Sequence, residues 1–426
     1  MSLIRNLLML GVLGYSLSTA WANEGSILFY GATVIDGTGA PPLEDAALVV
    51  SDGRIRAIGS RQDVTAGQYD EAIDLNGKTV IPGLINAHGH VGGTYGLQTD
   101  QYNRDNLLRQ LSLYARYGVT TVYSLGGDGP EGFALRNEQD HAGLDRARLY
   151  VAGPVVTGRT EAEIVRQVNE NADRGADFIK VRVDDNLGRT PKMPRELFDR
   201  LLEQAHSRRT PLAVHLFYLD DARYVLEAGA DLIAHSVRDL PVDDSFIDLI
   251  KSSQVCYIPT LTREVSTFVY ESVPEFFSHP FFRQEVAQST LDTLTEPERM
   301  ARMANSSMAQ GYKAGLEVAM ENVGRLAAAD VPVAMGTDSG PPARFQGYFE
   351  HMELSMMVEA GMTPMQVIRS ATGVAADCMG NAMIGTLEPG NWADFVVLES
   401  NPLDDIDNTR SIESVWIAGN RVPDSD

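Results

Sequence analysis

Side chains able to ligate a metal ion recur along the chain at the ends of apolar runs: His88, His90, Lys180, His215, His235 and Asp338. The first two close the run from Val80 to Ala87 as His-Gly-His. Side chains two apart on a strand share a face, so both imidazoles address one point. Residues 177–183 set Lys180 inside a β-branched stretch, where an unpaired ammonium is costly to bury. Burial drives such a lysine toward its neutral amine, which can add carbon dioxide and become an anionic carbamate with two oxygens able to bridge two metals. By itself Lys180 reads first as a snorkelling side chain or as the partner of Asp184 or Asp185. The runs 211–215 and 231–235 each finish on histidine, and the run from Val331 finishes on Asp338. Taken as a set, these residues predict a hydrolase with two divalent metal ions.

Positioning such groups requires strands that end together. Helix-like segments followed by glycine and an apolar run repeat around Gly118, Gly175 and Gly229, which suits helices ending in a left-handed residue before a strand. Eight strand candidates follow: 80–87, 119–124, 148–152, 177–183, 211–215, 231–235, 255–260 and 331–337. Alternating helices and buried strands predict an α/β fold, a (β/α)8 TIM-type barrel whose active site lies at the C-terminal strand ends. Short strands with turn pairs such as Asp52-Gly53 fill residues 26–80, and further strands follow residue 385, so both termini are expected to build a small β-sandwich. The expected division is a signal peptide at 1–22, β-domain segments at 23–80 and 385–426, and the barrel at 81–384. The interval 261–330, with Phe268, Tyr270, Phe276, Phe277, Phe281 and Phe282, reads either as a lid or pocket wall or as an insertion packed onto the barrel.

The 426 residues are 44% hydrophobic and 22% charged, and the formal net charge of −23 argues against nucleic acid or an anionic membrane as partner. Arg5, the apolar stretch Leu7 to Leu17 and Ala20-Trp21-Ala22 read as a cleavable export signal, with cleavage after Ala22 and a secreted or periplasmic product. No stable membrane anchor is expected, and homo-oligomerisation is left open. Two cysteines, Cys256 and Cys378, make no disulfide framework; pairing is open to them, but their apolar surroundings favour buried thiols.

These motifs together resemble the amidohydrolase superfamily. The resemblance covers nearly all of the chain after residue 22: Pro82 to His90, the strand-borne Lys180, His215, His235 and Asp338, and the tail Gly385 to Asp394. Lys180 narrows it to the prolidase-like branch related to imidazolonepropionases, which themselves use one metal and lack the lysine. The resemblance implies that His88, His90 and Asp338 hold one metal, that His215 and His235 hold the other, and that carboxylated Lys180 bridges them. It implies attack by a metal-bridging hydroxide, with Asp338 moving its proton to the leaving nitrogen. Zinc leads among the candidate metals, with manganese, cobalt and iron open.

Beyond the ligands, Tyr218 is a candidate oxyanion donor, with Phe217 equally close to His215. His351, in Phe349-Glu350-His351-Met352-Glu353-Leu354, is a candidate substrate contact, and Arg182, Arg263 and Arg344 are candidates for a substrate carboxylate. The leading expectation is cleavage of a C–N amide bond in a small substrate such as a dipeptide, Xaa-Pro-like or related, or an N-acyl amino acid. A metal-dependent esterase, lactonase or phosphotriesterase is the alternative, and a non-catalytic binding protein a more distant one.

Overall fold

The computed structural model describes residues 25–64 and 68–424, so the expected export signal lies outside the described residues. Strands Ile27–Val34, Leu43–Ser51, Arg54–Ser60, Glu71–Asp74 and Thr79–Pro82 join Phe395–Leu398, Ile412–Ile417 and Asn420–Arg421 in one eight-stranded mixed sheet. Asp52 and Gly53 both have positive φ, 52° and 72°, as the two-residue turn requires. Thr79–Pro82 is the seam between the two ends of the chain. It runs parallel to Thr33 and Val34 on one side and antiparallel to Phe395–Leu398 on the other. The two terminal segments are thus joined in one hydrogen-bonded sheet. Its core centres on Phe29, whose ring lies 5.0 Å from Phe395 and 4.8 Å from Trp416.

Gly83 separates this sheet from the first barrel strand, Leu84–Gly89, so the predicted strand at 80–87 is two strands. A Cβ at Gly83 would lie 2.0 Å from Thr120 Oγ1, which leaves room for no other residue at that corner. Leu84–Gly89, Val119–Ser124 and Arg148–Val151 form a three-stranded parallel sheet. Ile179–Arg182, Leu212–His215, Leu232–Ala234 and Cys256–Ile258 form a four-stranded one. Seven of the eight predicted strands are present, with helices such as Glu161–Asp173 and Arg195–Ser207 between them. The eighth run, 331–337, forms no continuous ladder: it meets Cys256–Ile258 at the bridge Tyr257↔Val333 and Leu84–Gly89 through the Ala87 N–H to Met335 carbonyl and Thr337 N–H to His88 carbonyl bonds, while Gly89↔Ser339 and Val156↔Val181 are further single bridges. The expected closed eight-stranded ladder is therefore interrupted: two parallel sheets are joined by the hydrogen bonds of this run and by single bridges. Pro332 has no N–H, and the Met335 N–H donates to the Ser370 carbonyl instead of to a neighbouring strand.

The insertion serves in both of the ways expected of it. Phe276, Phe277, Phe281 and Phe282 pack edge and face against Tyr117, Tyr348 and Phe349, while Glu285, Ala287 and Thr290 wall a cavity of about 490 Å3. The cysteines are not buried thiols: Cys256 and Cys378 are joined in a disulfide across 122 residues of sequence. Cys256 opens a barrel strand and Cys378 ends helix Gly373–Cys378, a proximity that only the folded sheet creates. Among the described residues no helix is long and apolar enough to cross a membrane.

Candidate active site

Each strand end delivers its residue to one place. His88 and His90 leave the top of Leu84–Gly89, and the Asp338 backbone N–H donates to the His88 carbonyl at 2.6 Å. His88, His90 and Asp338 bring ligand atoms within 4.8 Å of one another, a geometry that can hold a metal ion. Lys180 Nζ lies 3.3 Å from His88 Nε2. The His235 ring lies 4.6 Å from His88 and 4.1 Å from His215. All six predicted ligands therefore converge.

Burial sets their protonation. Lys180 is 4% exposed, and desolvation brings its amine down to about 7 against the pull of Asp338. Desolvation likewise lowers His215 to about 3 in spite of Asp184, and holds His88 and His235 well below an ordinary imidazole. The Asp338 carboxyl goes the other way: burial pushes it up, but Arg344, His90 and His88 prevail and hold it well below the usual carboxylate range. At neutral pH His88, His215 and His235 therefore offer neutral imidazoles, Lys180 an amine near its midpoint and Asp338 a carboxylate, donors that a divalent cation can coordinate.

The hydrogen bonds orient these donors. His90 Nδ1 lies 2.9 Å from the Gly126 carbonyl, so this nitrogen carries a proton. A neutral ring then aims the Nε2 lone pair at Asp338 Oδ1, 2.8 Å away. Two acceptors facing each other require a proton or a cation between them. His88 Nδ1 is buried with no hydrogen-bond partner, and His235 Nδ1 is held by Thr260 Oγ1 at 2.7 Å. Three residues here adopt positive φ without being glycine: His235 at 147°, Thr260 at 52° and Asp338 at 55°. Such backbone strain, of order 1–3 kcal/mol each, persists where the surroundings over-determine it.

Asp338 Oδ2 faces two guanidiniums: Arg344 is hydrogen-bonded to it and Arg263 Nε lies 3.9 Å away. Arg344 also lines the 490 Å3 cavity, together with Arg109, Tyr95, Phe345 and Tyr348, so this cavity opens beside the cluster rather than over it. Arg182 pairs with Asp184 at 2.6 Å, and the other Asp184 oxygen takes His215 Nε2 at 3.1 Å. Asp184 is thus committed to those two groups and is not the partner of Lys180.

Two predicted residues stand elsewhere. The Tyr218 hydroxyl donates to Asp185 Oδ1 at 2.7 Å, with Lys192 over its ring, and makes no hydrogen bond to the cluster. His351 is fully buried, with Nδ1 2.9 Å from Thr409 Oγ1 and Nε2 2.8 Å from the Tyr117 carbonyl. Both nitrogens are occupied, so His351 ties its helix to the C-terminal segment and is not presented to a substrate. The residues on that helix that face the cluster are Glu350 and Glu353, both with no exposed surface. Their signal in the sequence was a pair of carboxylates three apart in an apolar hexapeptide, which on a helix share one side.

The amidohydrolase family model matches residues 79–422, and the chain belongs to this family. It is accordingly a hydrolase acting on carbon–nitrogen bonds. It is similar to the ochratoxinase of Aspergillus niger, 25% identical over 92% of this chain and 85% of that protein. It is also similar to the imidazolonepropionase of Streptomyces avermitilis, 24% identical over 90% of this chain and 89% of that one. Among solved structures, a Xaa-Pro dipeptidase with bound methionine superposes with a TM-score of 0.74 at 20% identity, covering 94% of this chain and all of the other.

Proposed function

We propose that this protein is a binuclear metal-dependent amidohydrolase that cleaves the amide bond of a small substrate, a dipeptide or an N-acyl amino acid. The observation that carries the proposal is Lys180, a buried amine brought down to about 7 and set 3.3 Å from His88 among the imidazoles. A neutral amine at this point can become a carbamate, and the carbamate adds the second anionic ligand that two divalent cations call for beside Asp338. His88, His90 and Asp338 would hold one ion, His215 and His235 the other, and the carbamate both. When bound, the ions, of which zinc best suits imidazole-rich donors, supply a nucleophilic water at neutral pH and polarise the scissile carbonyl.

The side chains do the rest. Arg344 and Arg263 fix Asp338 by Oδ2, which leaves Oδ1 toward His90 and His88. Ionised there, Asp338 can take a proton from the attacking water and return it to the leaving nitrogen, a transfer an amide requires because an unprotonated amine leaves poorly. The cavity beside Arg344 combines guanidinium groups with Tyr95, Phe345 and Tyr348, which suits a leaving group with a carboxylate and an apolar body. The disulfide agrees with an exported protein working in an oxidising compartment.

Elemental analysis of the purified protein and of a Lys180→Ala variant tests the proposal. Two metals per chain, lost in the variant, together with turnover of a dipeptide and N-acyl amino acid panel, is the expected result. One metal or none would refute the bridged site. Fast hydrolysis of esters without amide cleavage would move the assignment to an esterase.

A further inference from the structure

We propose that Glu350 and Glu353, one turn apart on helix Tyr348–Glu359, are positioning residues that hold the two halves of the metal cluster in register; the inference rests on the binuclear reading above. A buried carboxylate is costly unless its oxygens are satisfied, so where each finds its donors shows what it organises.

Glu350 spends one oxygen on three donors. Oε1 accepts from Asn86 Nδ2 at 2.6 Å, Thr337 Oγ1 at 2.8 Å and Ser339 Oγ at 2.6 Å, while Oε2 has no partner. Thr337 and Ser339 are the residues on either side of Asp338. Asn86 in turn accepts the His88 backbone N–H at 3.0 Å through Oδ1. A single oxygen atom therefore fixes the peptide that carries Asp338 against the peptide that carries His88.

Glu353 uses both oxygens on another segment. Oε1 accepts from the Leu261 N–H, and Oε2 accepts from the N–H and hydroxyl of Thr262, each at 2.7 Å. These residues directly follow Thr260, whose left-handed backbone aims its hydroxyl at His235. The Thr262 hydroxyl also reaches the Thr337 carbonyl at 3.3 Å, which links the two clamps. One rigid helix thus sets the His88 and Asp338 half by Glu350 and the His235 half by Glu353.

The unequal use of oxygens gives each position a different signature. Glutamine at 350 can present the same accepting oxygen and put its amide nitrogen where Oε2 has no partner. Glutamine at 353 must turn its amide nitrogen toward a group that is itself a donor. Glu350→Gln should therefore rescue what Glu350→Ala loses, whereas Glu353→Gln should not be tolerated.

The test measures zinc affinity of the metal-free protein against a chromophoric chelator, with a melting temperature beside each value, for Glu350→Ala, Glu350→Gln and Glu353→Gln. Glu350→Ala and Glu353→Gln are expected to bind zinc about 10–100-fold more weakly, as loss of such outer groups typically does, and Glu350→Gln to recover most of the affinity. Should Glu350→Ala fail to fold, the opposite behaviour of the two glutamine variants decides the matter. Zinc bound equally well by all variants, or equal losses in the two glutamine variants, would overturn the inference. An unaltered protein that takes up no zinc would instead bring down the binuclear reading, and this inference with it.

Discussion

Replacing Lys180 with methionine should make the metal-free protein more stable while removing its capacity for a bridged site. The amine sits at about 7 when folded against 10.5 for an ordinary lysine, chiefly through burial. Above pH ~10.5 the unfolded and folded chains are both neutral at this position, and the group has no effect on stability. As the pH falls from there toward 7, the unfolded chain takes up a proton that the folded chain does not, so folding loses about 1.36 kcal/mol per pH unit. The loss levels off below pH ~7, where the folded amine also becomes charged, and amounts to about 4 kcal/mol at pH 7. Methionine fills similar volume and carries no such penalty. Urea denaturation of metal-free protein between pH 7 and 10 should show Lys180→Met gaining about 4 kcal/mol at pH 7, with the gain shrinking as the pH rises. A variant less stable than the parent at pH 7, or one with an unchanged pH slope, would refute the claim that the parent buries this amine without an adequate counter-charge.

Three further outcomes are expected. Asp338→Asn should lower kcat by about 10²–10⁴-fold, the usual contribution of a positioned proton carrier, measured at saturating metal on whichever amide the panel identifies. Cys378→Ser should cost about 2–5 kcal/mol in urea denaturation under oxidising conditions, since the disulfide closes a loop of 122 residues, and should abolish any effect of added dithiothreitol. His351→Leu should leave kcat and KM unchanged while lowering stability by about 1–3 kcal/mol, because it strands the buried Tyr117 carbonyl and leaves the Thr409 hydroxyl with the Ile406 carbonyl alone.

The convergence of the six side chains was legible because its logic is local. Each of them marks an apolar run, and parallel strands bring their C-terminal ends to one face. What could not be read are the contacts that span the fold. Arg344 was identifiable as an arginine near a barrel mouth, but not as the group that clamps Asp338. Cys256 and Cys378 sit in apolar surroundings that look the same for a thiol and a disulfide. The choice of His351 over its neighbours went wrong for a related reason. In Phe349–Leu354 the sequence shows the helix but not which side faces the cluster, and the histidine lies on the side packed against Tyr117 and Thr409. The run at 331–337 has strand composition, yet its ladder is interrupted where Met335 bonds Ser370, a competitor more than thirty residues downstream.

The seam at Thr79–Pro82 bears on how the chain is made. One edge of this short strand is completed by Phe395–Leu398, which follows it by more than 300 residues. At about 5–20 residues per second, the ribosome needs roughly 15–60 s to supply the partner. For that interval the early strands carry an unfilled hydrogen-bonding edge, the kind of surface through which nascent chains aggregate. Slow non-local closure of this kind favours a holding chaperone until the last strands arrive.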